Sequence, residues 1–170
     1  MTRIVVGLDG SRAARHAFEA ALREAQWREA SLDVVHVVVV PIVAGRDISR
    51  HDIDRLRLYG QNLVDRELSV IEEEHGGSLP VGVNTHVAVG HPCVEIMAVA
   101  EGGAGADPAA LVVLGSRGLG GFRGLLLGSV TTYAVHHMTA PLLIVPATVD
   151  HGLALDMDSD AQRTGDGVLA

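Results

Sequence analysis

The pattern of the chain predicts a single doubly wound α/β domain: a Rossmann-like, five-stranded parallel sheet with helices on both faces. Short apolar runs rich in β-branched residues recur at 3–8, 32–40, 83–89, 110–114 and 141–145, each separated from the next by polar or helix-like sequence. Hydrophobic residues make up 48% of the chain but aromatics 3%, so the apolar content is mostly Val, Leu, Ala and Ile, the mixture that fills parallel strands covered on both sides. A length of 170 residues suffices for one sizeable core and not for two ordinary domains.

Between the first two runs, Ala14, Phe18, Ala21, Leu22 and Ala25 share one helical face while Arg15, Glu19, Arg23 and Glu24 lie elsewhere, with Ser11 placed as N-cap. A second helix suits residues 49–75, where Leu56, Leu63 and Val70 recur every seven residues and Gly76-Gly77 supplies a stop. Pro92 fits the first turn of a third helix that turns Ile96, Val99 and Ala100 inward. A fourth follows Gly128-Ser129 and runs to about Met138, closed by Pro141. Alternating strands and helices imply right-handed crossovers, and ligands of such sheets sit beyond the carboxyl ends of the strands. The domain is expected over residues 1–147. From 148 to 170 the composition changes to Asp mixed with Gly, Ser and Thr, which reads as an acidic, disordered tail.

Composition also excludes. Formal charge is −8 and the basic residues are scattered, so no phosphate-backbone footprint is formed and nucleic acid is not an expected partner. All 13 basic residues are Arg; without Lys there is neither a Schiff-base nucleophile nor a Walker A lysine. No Gly-x-Ser-x-Gly elbow is present, so nucleophilic catalysis has no candidate. The adjacent His136 and His137 point about 100° apart on a helix, which argues against a native metal site. Cys93, the lone cysteine, follows Pro92 at a helix start; that position can lower a thiol pKa, but ordinary packing is the expected role. The first residues enter a strand pattern without a secretory signal, and no apolar run reaches membrane-spanning length. A soluble, cytoplasmic protein is expected.

The chemistry concentrates after the fourth strand, where glycines at 115, 118, 120, 121, 124 and 128 lead into a helix. Glycine lets a ligand approach the main chain closely, and the helix start offers free N–H groups and its positive dipole end to an anion. Ser129 adds a hydroxyl, and Arg117 and Arg123 can neutralise charge from the flanks. The competing reading is a plain glycine-rich connection with capping. Arg46, Arg50 and His51 suit a solvated linker better than a ligand contact.

Gly115, two residues, Gly118, nine residues and then Gly128-Ser129 resembles, without a gap, the G-x2-G-x9-G-[ST] signature of the ATP-binding universal stress proteins. Val5-Val6-Gly7-Leu8-Asp9-Gly10-Ser11, His36-Val37 and Gly90-His91-Pro92 stand in the same order as in that family, so the resemblance covers about residues 3–146. It implies an ATP site, with Asp9 and the main chain of Val37 around the adenosine, and Gly115, Gly118, Gly128 and Ser129 around the phosphates. Leu114 and Val130 would line the same pocket, with Arg117 beside it. Asp9 also has a plainer role, satisfying the turn before the first helix. A homodimer through the last strand, Leu142–Val145, follows from the same resemblance; separately, a bound nucleotide could carry Mg²⁺ or Mn²⁺, whose ligands come mostly from phosphates and water. The implied function is a nucleotide-dependent stress regulator with weak ATP hydrolysis at most. Two alternatives stand beside it: a dimeric interaction module that binds no nucleotide, and a genuine ATPase using Asp9 or Ser129.

Overall fold

In a computed structural model of the chain, the structure describes residues 2–40, 48–119 and 126–147. The elements follow the order β1 (Arg3–Gly7), α1 (Arg12–Trp27), β2 (Ser31–Val38), α2 (Arg50–Glu74), β3 (Val83–Val89), α3 (Pro92–Ala100), β4 (Leu111–Gly115), α4 (Ser129–His137) and β5 (Leu142–Val145). All strand pairs are parallel and the sheet order is β3-β2-β1-β4-β5. The expected doubly wound sheet is therefore the observed one. The proposed acidic tail, Arg46 and Arg123 lie outside the described residues.

Alternation along β1 shows how the core divides. Ile4 and Val6 join Phe18, Leu22, Val64 and Ile71 on the side of α1 and α2, whereas Val5 joins Val35, Ile96, Leu114 and Ala134 on the side of α3 and α4. Strands buried on both faces need apolar side chains at consecutive positions, which is why β1 and β4 read as unbroken Val/Ile/Leu runs.

Local signals set the helix starts. Ser11 accepts the Ala14 N–H at 3.1 Å, as expected of its N-cap position. At Ser49 a capping box forms with Asp52, whose carboxylate accepts the Ser49 N–H. The buried face of α2 is Gly60, Val64, Glu67 and Ile71, rotated from the heptad of Leu56, Leu63 and Val70, which is half-buried. The cause is Gly60. A Cβ there would lie 2.7 Å from Val87, 2.8 Å from Val38 and 3.0 Å from His36, so α2 packs through its backbone where a side-chain pattern carries no signal. Glu67 is buried because Arg15 of α1 pairs with it at 3.0 Å.

β2 ends at Val38 and not at Val40. Val38 pairs with Val89, the last residue of β3, so Val39 has no strand beside it and is exposed. At the opposite end of the sheet, buried Arg3 pairs with buried Asp33 and also donates to the carbonyls of Val99 and Asp107, tying β1, β2 and the end of α3 together. Asn84 donates to the other Asp33 oxygen at 2.9 Å, and His86 lies 3.6 Å away. Burial pushes the Asp33 carboxyl up, but the Asn84 and Arg3 hydrogen bonds and the charges of His86 and Arg3 outweigh it and hold it below its ordinary 3.8.

A carboxyl lowered in the folded state contributes stability that is complete above its unfolded value and is lost as pH falls through the folded one. Asp33→Ala, which leaves Arg3 buried and unpaired, is expected to cost about 3 kcal/mol at neutral pH by urea denaturation. The difference from wild type should shrink as the pH is taken below about 4.

Candidate functional site

The strand order reverses between β1 and β4: the chain winds outward through β2 and β3, then returns to the other side of β1. Over the carboxyl ends of β1, β2 and β4 lies a cleft of about 870 Å³, walled by Tyr59 and Leu63 of α2 and by the starts of α3 and α4. All nine candidate residues line it: Asp9, Val37, Leu114, Gly115, Arg117, Gly118, Gly128, Ser129 and Val130. Arg50 and His51, exposed at the start of α2, are not among its walls.

Asp9 sits in the turn after β1. One carboxylate oxygen accepts the Ser11 N–H at 2.9 Å, the turn role expected of an Asp here; the other accepts the Leu119 N–H at 3.2 Å, 110 positions along the chain. A Cβ on Gly118 would collide with that second oxygen. Gly118 is thus the residue that admits the carboxylate to the loop.

Beyond β4 the glycine loop closes on itself. The Gly128 N–H donates to the Ser116 carbonyl at 2.7 Å, the Ser116 N–H donates to Val145 at 2.7 Å, and the Thr131 hydroxyl donates to the Gly115 carbonyl at 2.8 Å. Gly115 is required sterically, since a Cβ would lie 2.8 Å from the backbone of Ala13 in α1. Gly128 is different. It is the N-cap of α4 with ordinary extended angles, φ −76° and ψ 167°, and among the described residues a Cβ there would meet nothing closer than Arg117 Cα at 3.4 Å. Among the described residues no side chain caps α4, and within that set its first N–H groups have no partner beside the exposed Ser129. At the same wall the Arg117 Nε is buried without a hydrogen-bond partner among the described residues.

The other end of the cleft is made of backbone. In a parallel ladder a residue directs both its N–H and its C=O to the same neighbour. Odd-numbered residues of β2 face β1: the Ser31 N–H donates to Thr2 and the Val35 carbonyl accepts from Leu8. Even-numbered ones face β3: the Leu32 N–H donates to Gly82 and the Val38 carbonyl accepts from Gly90. Val37 therefore directs its N–H and C=O toward β1, past the point where β1 has turned away. A continued ladder would offer the Leu8 carbonyl to Val37. That carbonyl instead accepts from the His36 ring, whose Nδ1 lies 2.8 Å away and must carry the proton.

Sequence reading did not assign to the site the side chains of His36, Tyr59, Leu63, His91, Thr131 and Tyr133, all of which line the cleft; it named Leu63 only in the α2 heptad and His36 and His91 only within family-like motifs. A buried His in an apolar strand was a usable signal for the first. Tyr59 and Leu63 gave none, because their placement follows from the close approach at Gly60. Cys93 is buried in the cleft wall, its thiol donating to the Val130 carbonyl at 3.6 Å; burial pushes its pKa up, as suits packing.

A Rossmann-like α/β sheet with a glycine-rich cleft at its switch point defines the class of fold. Within that class the chain belongs to the universal stress protein family, whose sequence pattern matches residues 1–146. It is 31% identical over 152 residues to Universal stress protein YxiE of Bacillus subtilis, covering 84% of this chain and 97% of that one. It spans 47% of the length of the Mycobacterium bovis and Mycobacterium tuberculosis universal stress proteins that it also matches. Among solved structures, universal stress protein UspA from Lactobacillus plantarum superposes with a TM-score of 0.62 at 24% identity, covering 85% of this chain and 97% of that one. A universal stress protein in complex with cAMP superposes with 0.61 at 24% identity, covering 86% and 98%. Both likenesses establish the fold.

The contrast between the two glycines has a direct check. Gly115→Ala should destabilise the protein by about 1–3 kcal/mol through overpacking against Ala13. Gly128→Ala should cost less than about 1 kcal/mol, the scale of an N-cap change. Thermal or urea unfolding of both variants reads the difference.

Proposed function

We propose that this protein binds ATP in the cleft and acts as a nucleotide-dependent regulator in a stress response, with hydrolysis slow at most. The observation that carries the reading is the pairing of the two cleft ends, taken among the described residues: the main chain of Val37, for which no backbone partner is found beyond the end of β1, and the start of α4 with Ser129 and an Arg117 Nε buried without a hydrogen-bond partner at the glycine loop. Adenine offers an acceptor at N1 beside a donor at its exocyclic amine, the complement of the Val37 N–H and C=O. Phosphate oxygens suit the N–H groups of Ser129, Val130 and Thr131 and the hydroxyl of Ser129. Leu114 and Val130 supply apolar walls, Gly115 and Gly118 the close approach, and Asp9 faces the adenosine portion. A universal stress protein of this fold in complex with cAMP supports an adenine nucleotide as the ligand.

Slow chemistry is inferred from Asp9. Among the described lining residues it supplies the carboxylate, and both its oxygens already accept backbone N–H groups, so that carboxylate does not stand ready to activate water. When bound, a Mg²⁺ or Mn²⁺ accompanying the nucleotide would neutralise phosphate charge, with ligands drawn mostly from phosphates and water. We further infer a cytoplasmic homodimer through β5, an edge strand of half-buried Leu142–Val145 whose outer rim pairs with no other strand among the described residues.

Denaturing the purified protein and identifying released nucleotide by chromatography and mass is expected to yield an adenine nucleotide, absent from a Gly128→Ala, Ser129→Ala double variant that folds. An empty wild type that also fails to take up added ATP overturns the reading. Binding should favour ATP over GTP by at least about tenfold, since guanine reverses the donor and acceptor opposite Val37 and leaves buried groups unmatched. Equal affinities in calorimetric titration would remove Val37 from the site.

A further inference from the structure

We propose that the Asp9 carboxylate is the specificity determinant of the cleft: it claims a glycine-loop donor and so excludes phosphate chains that arrive without a nucleoside. The inference rests on the nucleotide reading above. Its basis is the bridge across the cleft, in which one Asp9 oxygen accepts the Leu119 N–H at 3.2 Å while Gly118 leaves room for the carboxylate against the loop. A carboxylate held by a backbone N–H of such a loop does what a phosphate oxygen would do there. The cleft therefore contains its own competing anion.

Charge sharpens the competition. Among the described lining residues Asp9 carries the negative charge and Arg117 the positive one. An inorganic polyphosphate entering the loop meets one favourable side chain and one like charge, and must displace Asp9 from Leu119 without compensating it. A nucleotide differs because its ribose hydroxyls can donate to the displaced oxygen while its phosphates take the loop donors. The hydrogen bond that Asp9 loses is replaced from within the same ligand. Nucleoside and phosphate recognition are thereby coupled through one side chain, with Asp9 contacting both ends.

The test removes the charge and keeps the shape. Asn at this position retains an oxygen for the Ser11 N–H, so Asp9→Asn preserves the turn, while Asp9→Glu retains the charge and serves as the counterpart. Binding of sodium tripolyphosphate, adenosine and ATP is measured by calorimetry at constant ionic strength with chelator present, and folding is checked by circular dichroism. Wild type is expected to bind tripolyphosphate weakly. Asp9→Asn should bind it at least about tenfold more tightly and adenosine more weakly, and Asp9→Glu should show no gain for tripolyphosphate. Unchanged or weaker tripolyphosphate binding by folded Asp9→Asn overturns the proposal. If that occurs while wild type binds ATP, the nucleotide reading survives and Asp9 is an ordinary adenosine contact. A tripolyphosphate gain in a protein that never binds ATP would keep the competing-anion role and overturn the nucleotide reading instead.

Discussion

The reversal of winding at β1 is the constraint on which the molecule depends. Right-handed crossovers place α1 and α2 on one face and α3 and α4 on the other, so no helix covers the carboxyl ends of β1 and β4. What lies there is main chain: the turn at Asp9, the free edge of Val37 and the glycine loop. The cleft is thus a by-product of topology that the sequence furnishes with small residues and a few polar groups. The Arg3–Asp33 network at the far end of the sheet, tied to Asn84 and to the end of α3, holds the strands whose other ends frame the cleft.

Glycines in and near the cleft serve separable purposes. Gly60 lets α2 approach the sheet, Gly115 lets β4 pass Ala13, and Gly118 admits the Asp9 carboxylate; in each case a Cβ would strike a named atom. Gly128 meets no such obstacle, and its conformation suits any residue. A family signature therefore mixes positions held by packing with one whose absent side chain leaves a helix N-terminus open. Shared motif membership alone would have assigned all four signature positions to the ligand.

Much of this architecture was legible beforehand. Strands buried on both faces must be apolar without interruption, and α1 must show one apolar stripe, so both could be read directly. The Ser11 cap and the glycine spacing were equally plain, because they depend on neighbours a few residues away. α2 was harder. Its packed face centres on a glycine, which has no hydrophobicity to register, and so the heptad of Leu56, Leu63 and Val70 pointed to its flank. The end of β2 was likewise hidden, because Val39 and Val40 are as apolar as their predecessors and what ends the strand is the absence of neighbours.

Local chemistry and periodicity settle element types, caps and the candidate loop, since those follow from contacts within one turn or one strand. Assembly settles which groups remain unpaired. That His36 occupies the Leu8 carbonyl to which a continued ladder would bring Val37, that Asp9 reaches Leu119, and that the Arg117 Nε is buried without a partner among the described residues are relations between segments remote in sequence. A hydrogen bond forms or fails to form by distance in space, and spatial distance exists only once the sheet has brought those segments together.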